Sequence, residues 1–445
     1  MARTRRANDL LSEAAARELA DRVLAMSPAD ETEVSVGSGW TGNTRSAVNR
    51  ITTAGEVENT SVSVTARFGR REASTSTNRL DEEGLRTAAE AAADLARLAP
   101  ENPELMPLLG PQEYAGSDGF HEATANLGPA ERGRIAADAI AAATDGGDLA
   151  AAGFLTASAS AGAIANSAGM FAYHRSTSVD YELTVRTADG TGSGWAGVAH
   201  RDRAALDIPS MHASAVRRAL DSQNPTDLQP GDYPVVFTAH AVSDIVGLLS
   251  GSLGARSADE GRSAFSAEGE GTKVGEKLLD EKFQLGSDPV GLGSSPWQGD
   301  GMPLQREVWF RDGVLEQLSY DRYWADRQGV RPTGRPGSLR MGGGDASIDD
   351  LVRGLDGGLL VTRLYYIRSI DPRTILYTGL TRDGVFWVEN GEIVRPVNNF
   401  RWNDSPLTAF ASIEELGRPV RISSSREVPP ARLSSFHFST VSEAV

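Results

Sequence analysis

The chain has 445 residues, 40% of them apolar and 23% charged, a balance that fits a soluble globular protein with room for two domains. Its net charge of −16 repels phosphate backbones and anionic lipid, so neither nucleic acid nor a membrane is an expected partner. Cysteine is absent, which excludes disulfides, thiol catalysis and thiolate metal ligands.

In chain order, the basic start MARTRRAND reads as a disordered tail without the long apolar core of a secretory signal. Leu10, Leu11, Ala15, Leu19, Val23 and Leu24 then recur at helical spacing, predicting a surface helix over 9–26. TEVSVG at 32–37 alternates like a strand. Glycine-punctuated β-rich runs follow to about residue 77, and LDEEGLRTAAEAAADLARLA at 80–99 is an alanine-rich helix. The pattern recurs with a helix at 129–145, strands from 149 to about 197, and another helix within 203–222. Helix, meander, helix thus appears twice, an internal duplication that predicts helices packed on one antiparallel sheet.

QNPTDLQPGDYP at 223–234 is rich in turn residues and marks a boundary between a domain at 1–225 and another at 226–445. VVFTA reads as a strand, HAVSDIVGLLSGSL as a short helix, and residues 254–275 as a polar, glycine-rich stretch. Hairpins are predicted around Arg311-Asp312-Gly313 and Glu389-Asn390-Gly391, with a capped helix over 347–361 between them. The expected class is α+β, the second half being β-rich with a rolled or barrel-like sheet.

Local motifs for catalysis are missing. His121, His174, His200, His212, His240 and His437 are scattered, and HEATA at 121–125 begins like a zinc motif without its second histidine. No nucleophile elbow or phosphate loop is present. MGGGDAS at 341–347 reads as a turn in which Asp345 or Ser347 caps the next helix. The carboxylates Asp259, Glu260, Glu268, Glu270 and Asp300 are available for acid–base work, but most carboxylates of an acidic protein are simply solvated.

Several segments nevertheless resemble the TldD/PmbA (TldE) family over roughly residues 15–420: ARFGRREASTSTNRLDEEGLRTAAEAAADLARLAPENPE, AIANSAGMFAYHRSTSVDYELTVRTADGTGSGW, DGMPLQREVWFRDGVLEQLSYDRYWADRQGVRPTG and GVFWVENGEIVRPVNN. The resemblance implies a division of labour. TldD-type subunits carry H-E-x-x-x-H, bind zinc and pair with TldE-type subunits that lack it to form a peptidase. In GLLSGSLGARSADEGRSAF, Ser250, Gly251 and Ser252 stand where His and Glu would begin, and no histidine follows. The segment IRSIDPRTILYTGLTRDGVFWVENG and Trp297, Trp324, Trp387 and Trp402 depart from the family pattern, pointing to a specialised peptide or natural-product pathway.

The resemblance therefore implies a cytoplasmic TldE-like subunit with no catalytic residue, metal ligand or cofactor of its own. It would complete the peptide cleft of a zinc-bearing TldD-like partner. Arg256 is expected to meet a substrate carboxylate, and Asp259 or Glu260 an amine. Two other readings stand beside it: an independent hydrolase of small amides using Asp259, Glu260 and Asp300, and a non-catalytic regulatory homodimer.

Overall fold

The computed structural model describes residues 10–442; the basic start, residues 1–9, lies outside the described residues. The duplication is visible in the backbone. Helix α1 (Glu13–Met26), strands β1 (Glu31–Ala47), β2 (Arg50–Phe68) and β3 (Arg71–Thr77), and helix α2 (Glu82–Leu98) form the first copy. After the single turn α3 (Glu122–Ala125), the second copy comprises α4 (Pro129–Asp145), β4 (Leu149–Asn166), β5 (Phe171–Thr187), β6 (Ser193–His200) and α5 (Ile208–Asp221). The six strands make one antiparallel sheet in the order β3-β2-β1-β4-β5-β6, so the copies meet at the β1–β4 pair.

Sequence periodicity explains these elements. Along β1 the even-numbered residues from Thr32 to Ser46 are buried and the odd ones are not, as expected where one face is covered by helices. Ser12 and Asp81 cap α1 and α2 through their side chains. The buried face of α2 is Leu85 with Ala88, Ala89, Ala92, Ala93 and Ala96, a small-residue surface that lets the helix lie close on the sheet. Glycine is required at two contacts. A Cβ on Gly194 would lie 2.2 Å from the carbonyl oxygen of Ala215 on α5, and one on Gly42 would lie 2.5 Å from the guanidinium of the fully buried Arg132. The glycines that punctuate residues 32–47 do not break the strand; β1 runs through all of them as one element of 17 residues.

The second half holds two open sheets, and neither closes into a barrel among the described residues. One runs Val314–Leu315, Glu307–Arg311, Leu285–Ser287, Leu339–Met341, Arg426–Val428 and Val420–Ser423. The other has nine strands, with β7 (Gly231–Phe237) between Ala431–Ser442 and Gly358–Val361. Both expected hairpins form. The helix expected over 347–361 is shorter: Ser347 closes a capping box, the helix spans Ile348–Arg353, and Gly354 ends it. Gly358–Val361 is a fully buried strand between β7 and Val385–Glu389, so pairing on both edges decides its conformation.

Two features join the halves. From Ala99 to His121 the chain runs without helix or strand, through bends and turns, and it ties to both halves. The Asn102 N–H donates to the Arg70 carbonyl at 2.8 Å, the Tyr114 hydroxyl to that of Gly301 at 2.6 Å, and the Ser117 hydroxyl to that of Ser294 at 2.8 Å. At the β6 edge, the buried Asp383 carboxylate accepts from Ser193 at 2.7 Å and from Arg363 at 3.0 Å.

Replacing Gly194 by valine forces β6 and α5 apart. A loss of about 1–3 kcal/mol is expected from overpacking, read as a lower urea midpoint with an unchanged slope.

Candidate functional site

The stretch GLLSGSLGARSADEGRSAF begins on helix α6 (Ala239–Gly251). This helix packs its apolar faces into the main core of the second half through Val242, Ile245, Val246 and Leu249. Its polar residues meet the first half and the second sheet. His240 makes an edge contact with Trp195 of β6, ring centroids 4.8 Å apart, and Arg363 lies 4.2 Å from the Trp195 ring centroid. Burial, with the nearby Arg218, depresses His240 to about 4. It is a neutral residue at the contact between the halves. One turn on, burial raises Asp244 to about 6 against the opposing attraction of Arg426 and Arg363.

At the C-terminal end of α6 the hydroxyls are turned inward. Ser250 is buried and donates to the Gly247 carbonyl at 3.1 Å, and Ser252 donates to that of Leu248 at 3.2 Å. Leu253 and Ala255 are stitched to Ser319 by backbone bonds of 2.7 and 2.9 Å. Serine hydroxyls satisfied by helix carbonyls, with glycine between them, are not a donor set for a zinc ion, which takes imidazole, thiolate or carboxylate. Among the described residues no group of three or more His, Asp or Glu is gathered to hold a metal. The residues of this segment do not fit the metal that the family resemblance associates with this position.

The polar stretch that follows is partly helical: α7 (Ala255–Asp259) forms a single turn that the sequence pattern did not reveal. It brings Arg256, Asp259 and Glu260 together and gives each a partner. Arg256 makes two bonds of 2.9 Å to the two carboxylate oxygens of Glu104, from the segment joining the halves, and one of 3.1 Å to Glu260. Its guanidinium lies 5.1 Å from the Trp324 ring centroid. Asp259 accepts from the Trp324 indole N–H at 2.6 Å, and Glu260 also accepts from Arg262. Hydrogen bonds to Glu104 and Glu260 push the Arg256 pKa up, and those from Arg262 and Arg256 pull that of Glu260 down. Arg256, Glu104 and Glu260 are partly exposed, so the lattice is worth little as net stability and more as a device that sets the shape of the turn.

The third carboxylate, Asp300, faces Arg322 at 3.5 Å, and Arg322 also donates to the Pro107 carbonyl at 2.8 Å. Nearby, Glu33 is raised to about 6, chiefly by burial, with Asp300 and Glu72 adding and Arg67 and Arg322 opposing. Asp259, Glu260 and Asp300 thus each have their own donor, while Glu268 and Glu270 are exposed on the polar stretch. His121 occupies the N-cap position of the turn α3 without a capping side-chain bond and lies 3.9 Å from Asp202. Glu104 and Trp324 were missed by sequence reasoning. They sit 152 and 68 residues from Arg256 along the chain, and no local pattern links them.

Asp244 supplies a test of the α6 environment. Its pKa is raised from 3.8 to about 6, so its burial penalty is fully present above pH 6 and is relieved as pH falls toward 3.8. Asp244→Asn is expected to raise stability by about 1–3 kcal/mol at pH 8 and by almost nothing at pH 4, read from urea unfolding at both pH values.

Residues 230–440 match the family profile described as PmbA/TldA metallopeptidase C-terminal domain, and residues 124–223 the one described as PmbA/TldA metallopeptidase central domain. Metalloprotease PmbA of Escherichia coli O157:H7 is 26% identical over 429 residues, covering 89% of this chain and 88% of that protein. A metalloprotease PmbA homolog of Haemophilus influenzae is 24% identical over 196 residues, 41% of each chain. The crystal structure of TldE from Thermococcus kodakarensis superposes with a TM-score of 0.84 at 18% identity, covering 95% of this chain and 99% of that one, which establishes a shared fold. No helix among the described residues is long and apolar enough to cross a membrane.

Proposed function

Since this chain belongs to the PmbA/TldD metallopeptidase family, we propose that it is the non-metal subunit of a two-subunit peptidase of the TldD/TldE kind. A zinc-bearing relative would be its partner, a peptide the substrate and the cytoplasm its compartment. The observation that carries this reading is the end of α6: Ser250, Gly251 and Ser252 stand where the family's metal motif is expected, and both hydroxyls are committed to helix carbonyls.

On this reading the 251–265 segment contributes surface to the partner's cleft. Arg256, Asp259 and Glu260 remain the residues we assign to the peptide side. Glu104 and Arg262 already pair with Arg256 and Glu260, and the Trp324 indole N–H already donates to Asp259. The three would act through shape and spare hydrogen-bonding capacity instead of net charge. The independent-hydrolase reading has less support, because Asp259, Glu260 and Asp300 each carry a separate donor.

The test is co-expression with an H-E-x-x-x-H-bearing relative from the same genome. The expected result is a stable complex holding about one zinc per heterodimer, cleaving peptides at least about a hundredfold faster than either chain alone, a margin of roughly 2.7 kcal/mol. This chain purified alone should hold under about a tenth of an equivalent of zinc after equilibration with the metal. Full peptidase activity in the isolated chain would overturn the proposal.

A further inference from the structure

The far end of the polar stretch lines a cavity that the reading above does not use. Its volume is about 480 Å³, within the range of small-ligand sites. Ala264 and Lys273 form one wall, the turn at Arg373 and Thr374 a second, and the end of strand Asn399–Asp404 with the short helix Pro406–Ala411 a third. The cavity therefore lies wholly within the second half of the chain.

Three observations define what it takes. First, two cations face it. Lys273 spends one donor on the Ala264 carbonyl at 2.9 Å, and neither Lys273 nor Arg373 makes a side-chain ion pair among the described residues. The one carboxylate in the lining, Asp404, is buried, and its oxygens accept the backbone N–H groups of Ser405 at 2.7 Å and His437 at 3.1 Å. Second, the amide oxygen of Asn403 is buried without a hydrogen-bond donor. Such an atom costs about 1–3 kcal/mol unless something fills the need. Third, Leu376 and Leu407 give the lining an apolar part. A ligand that answers all three carries a carboxylate for Lys273 and Arg373, an adjacent N–H for Asn403 and an apolar side chain for the leucines.

We propose that this cavity binds the carboxylate end of an amino-acid unit with an apolar side chain, through Lys273, Arg373 and Asn403. Two sources share this chemistry: the C-terminal residue of a peptide and a free amino acid. The inference does not depend on the heterodimer, because every residue it uses is on this chain.

The test is calorimetric titration of the isolated chain with N-acetyl-L-leucine, N-acetyl-L-leucinamide and free L-leucine. The two acids are expected to bind at least about tenfold more tightly than the amide, a difference of roughly 1.4 kcal/mol. The double variant Lys273→Met/Arg373→Met should lose that preference while its melting temperature stays unchanged. Asn403→Leu should weaken both acids. Tighter binding of N-acetyl-L-leucine than of leucine supports the site with a peptide terminus as the source; the reverse order supports it with a free amino acid. Equal affinity for acid and amide, a preference that survives in the double variant, or no binding of any of the three at 10 mM overturns the proposal.

Discussion

Fourteen consecutive residue pairs join β1 to β4, from Glu33 opposite Asn166 to Ser46 opposite Gly153. Each copy of the duplicated unit has only three strands, and β1 and β4 are the edges through which the copies meet. Pairing them turns two marginal meanders into one six-stranded sheet with a helix layer whose buried alanines, such as Ala89, Ala92, Ala96, Ala139 and Ala143, are small enough to lie close to it. The pair also sets where everything else lies. It carries β6 to the far edge of the sheet, where Ser193 and Trp195 meet Asp383, Arg363 and His240 of the second half.

Attachment between the halves is polar as well as apolar. Asp383 is buried yet serves two donors, so breaking this contact would expose a carboxylate and strand a guanidinium. The long connection from Ala99 to His121 works at the opposite side, where Glu104 reaches Arg256 and holds the turn α7. A segment without regular structure thereby fixes the surface at the end of α6. The helix is anchored by its apolar face, and the core continues past its C-terminal end through Leu253, Ala255 and Ala258, so that the polar side chains between them are held at the surface. Serine and glycine at this end suit that arrangement, since the serines satisfy themselves on the helix backbone.

Much of the architecture was legible from local signals. The alanine-rich helices, the side-chain cap at Ser347, and the hairpins at Asp312-Gly313 and Asn390-Gly391 rest on interactions a few residues apart. The misreadings had non-local causes. Gly358–Val361 follows a helix and is apolar, but β7 and Val385–Glu389, on either side, make it a strand. The run GARSADEG looked like open loop, yet Glu104 and Trp324 order its charges from distant parts of the chain.

Composition, spacing and family likeness thus determined the α+β class, the duplication and the family, and residue identity put serine and glycine at the end of α6. These follow from residue identity or from periodicity over one element. Tertiary structure alone decided that the second half forms two open sheets, that Arg256, Asp259 and Glu260 are joined in one hydrogen-bonded lattice, and that Lys273, Arg373 and Asn403 face one cavity. The physical reason is distance along the chain: each of these depends on partners tens to hundreds of residues apart, which only the folded backbone brings within hydrogen-bonding range.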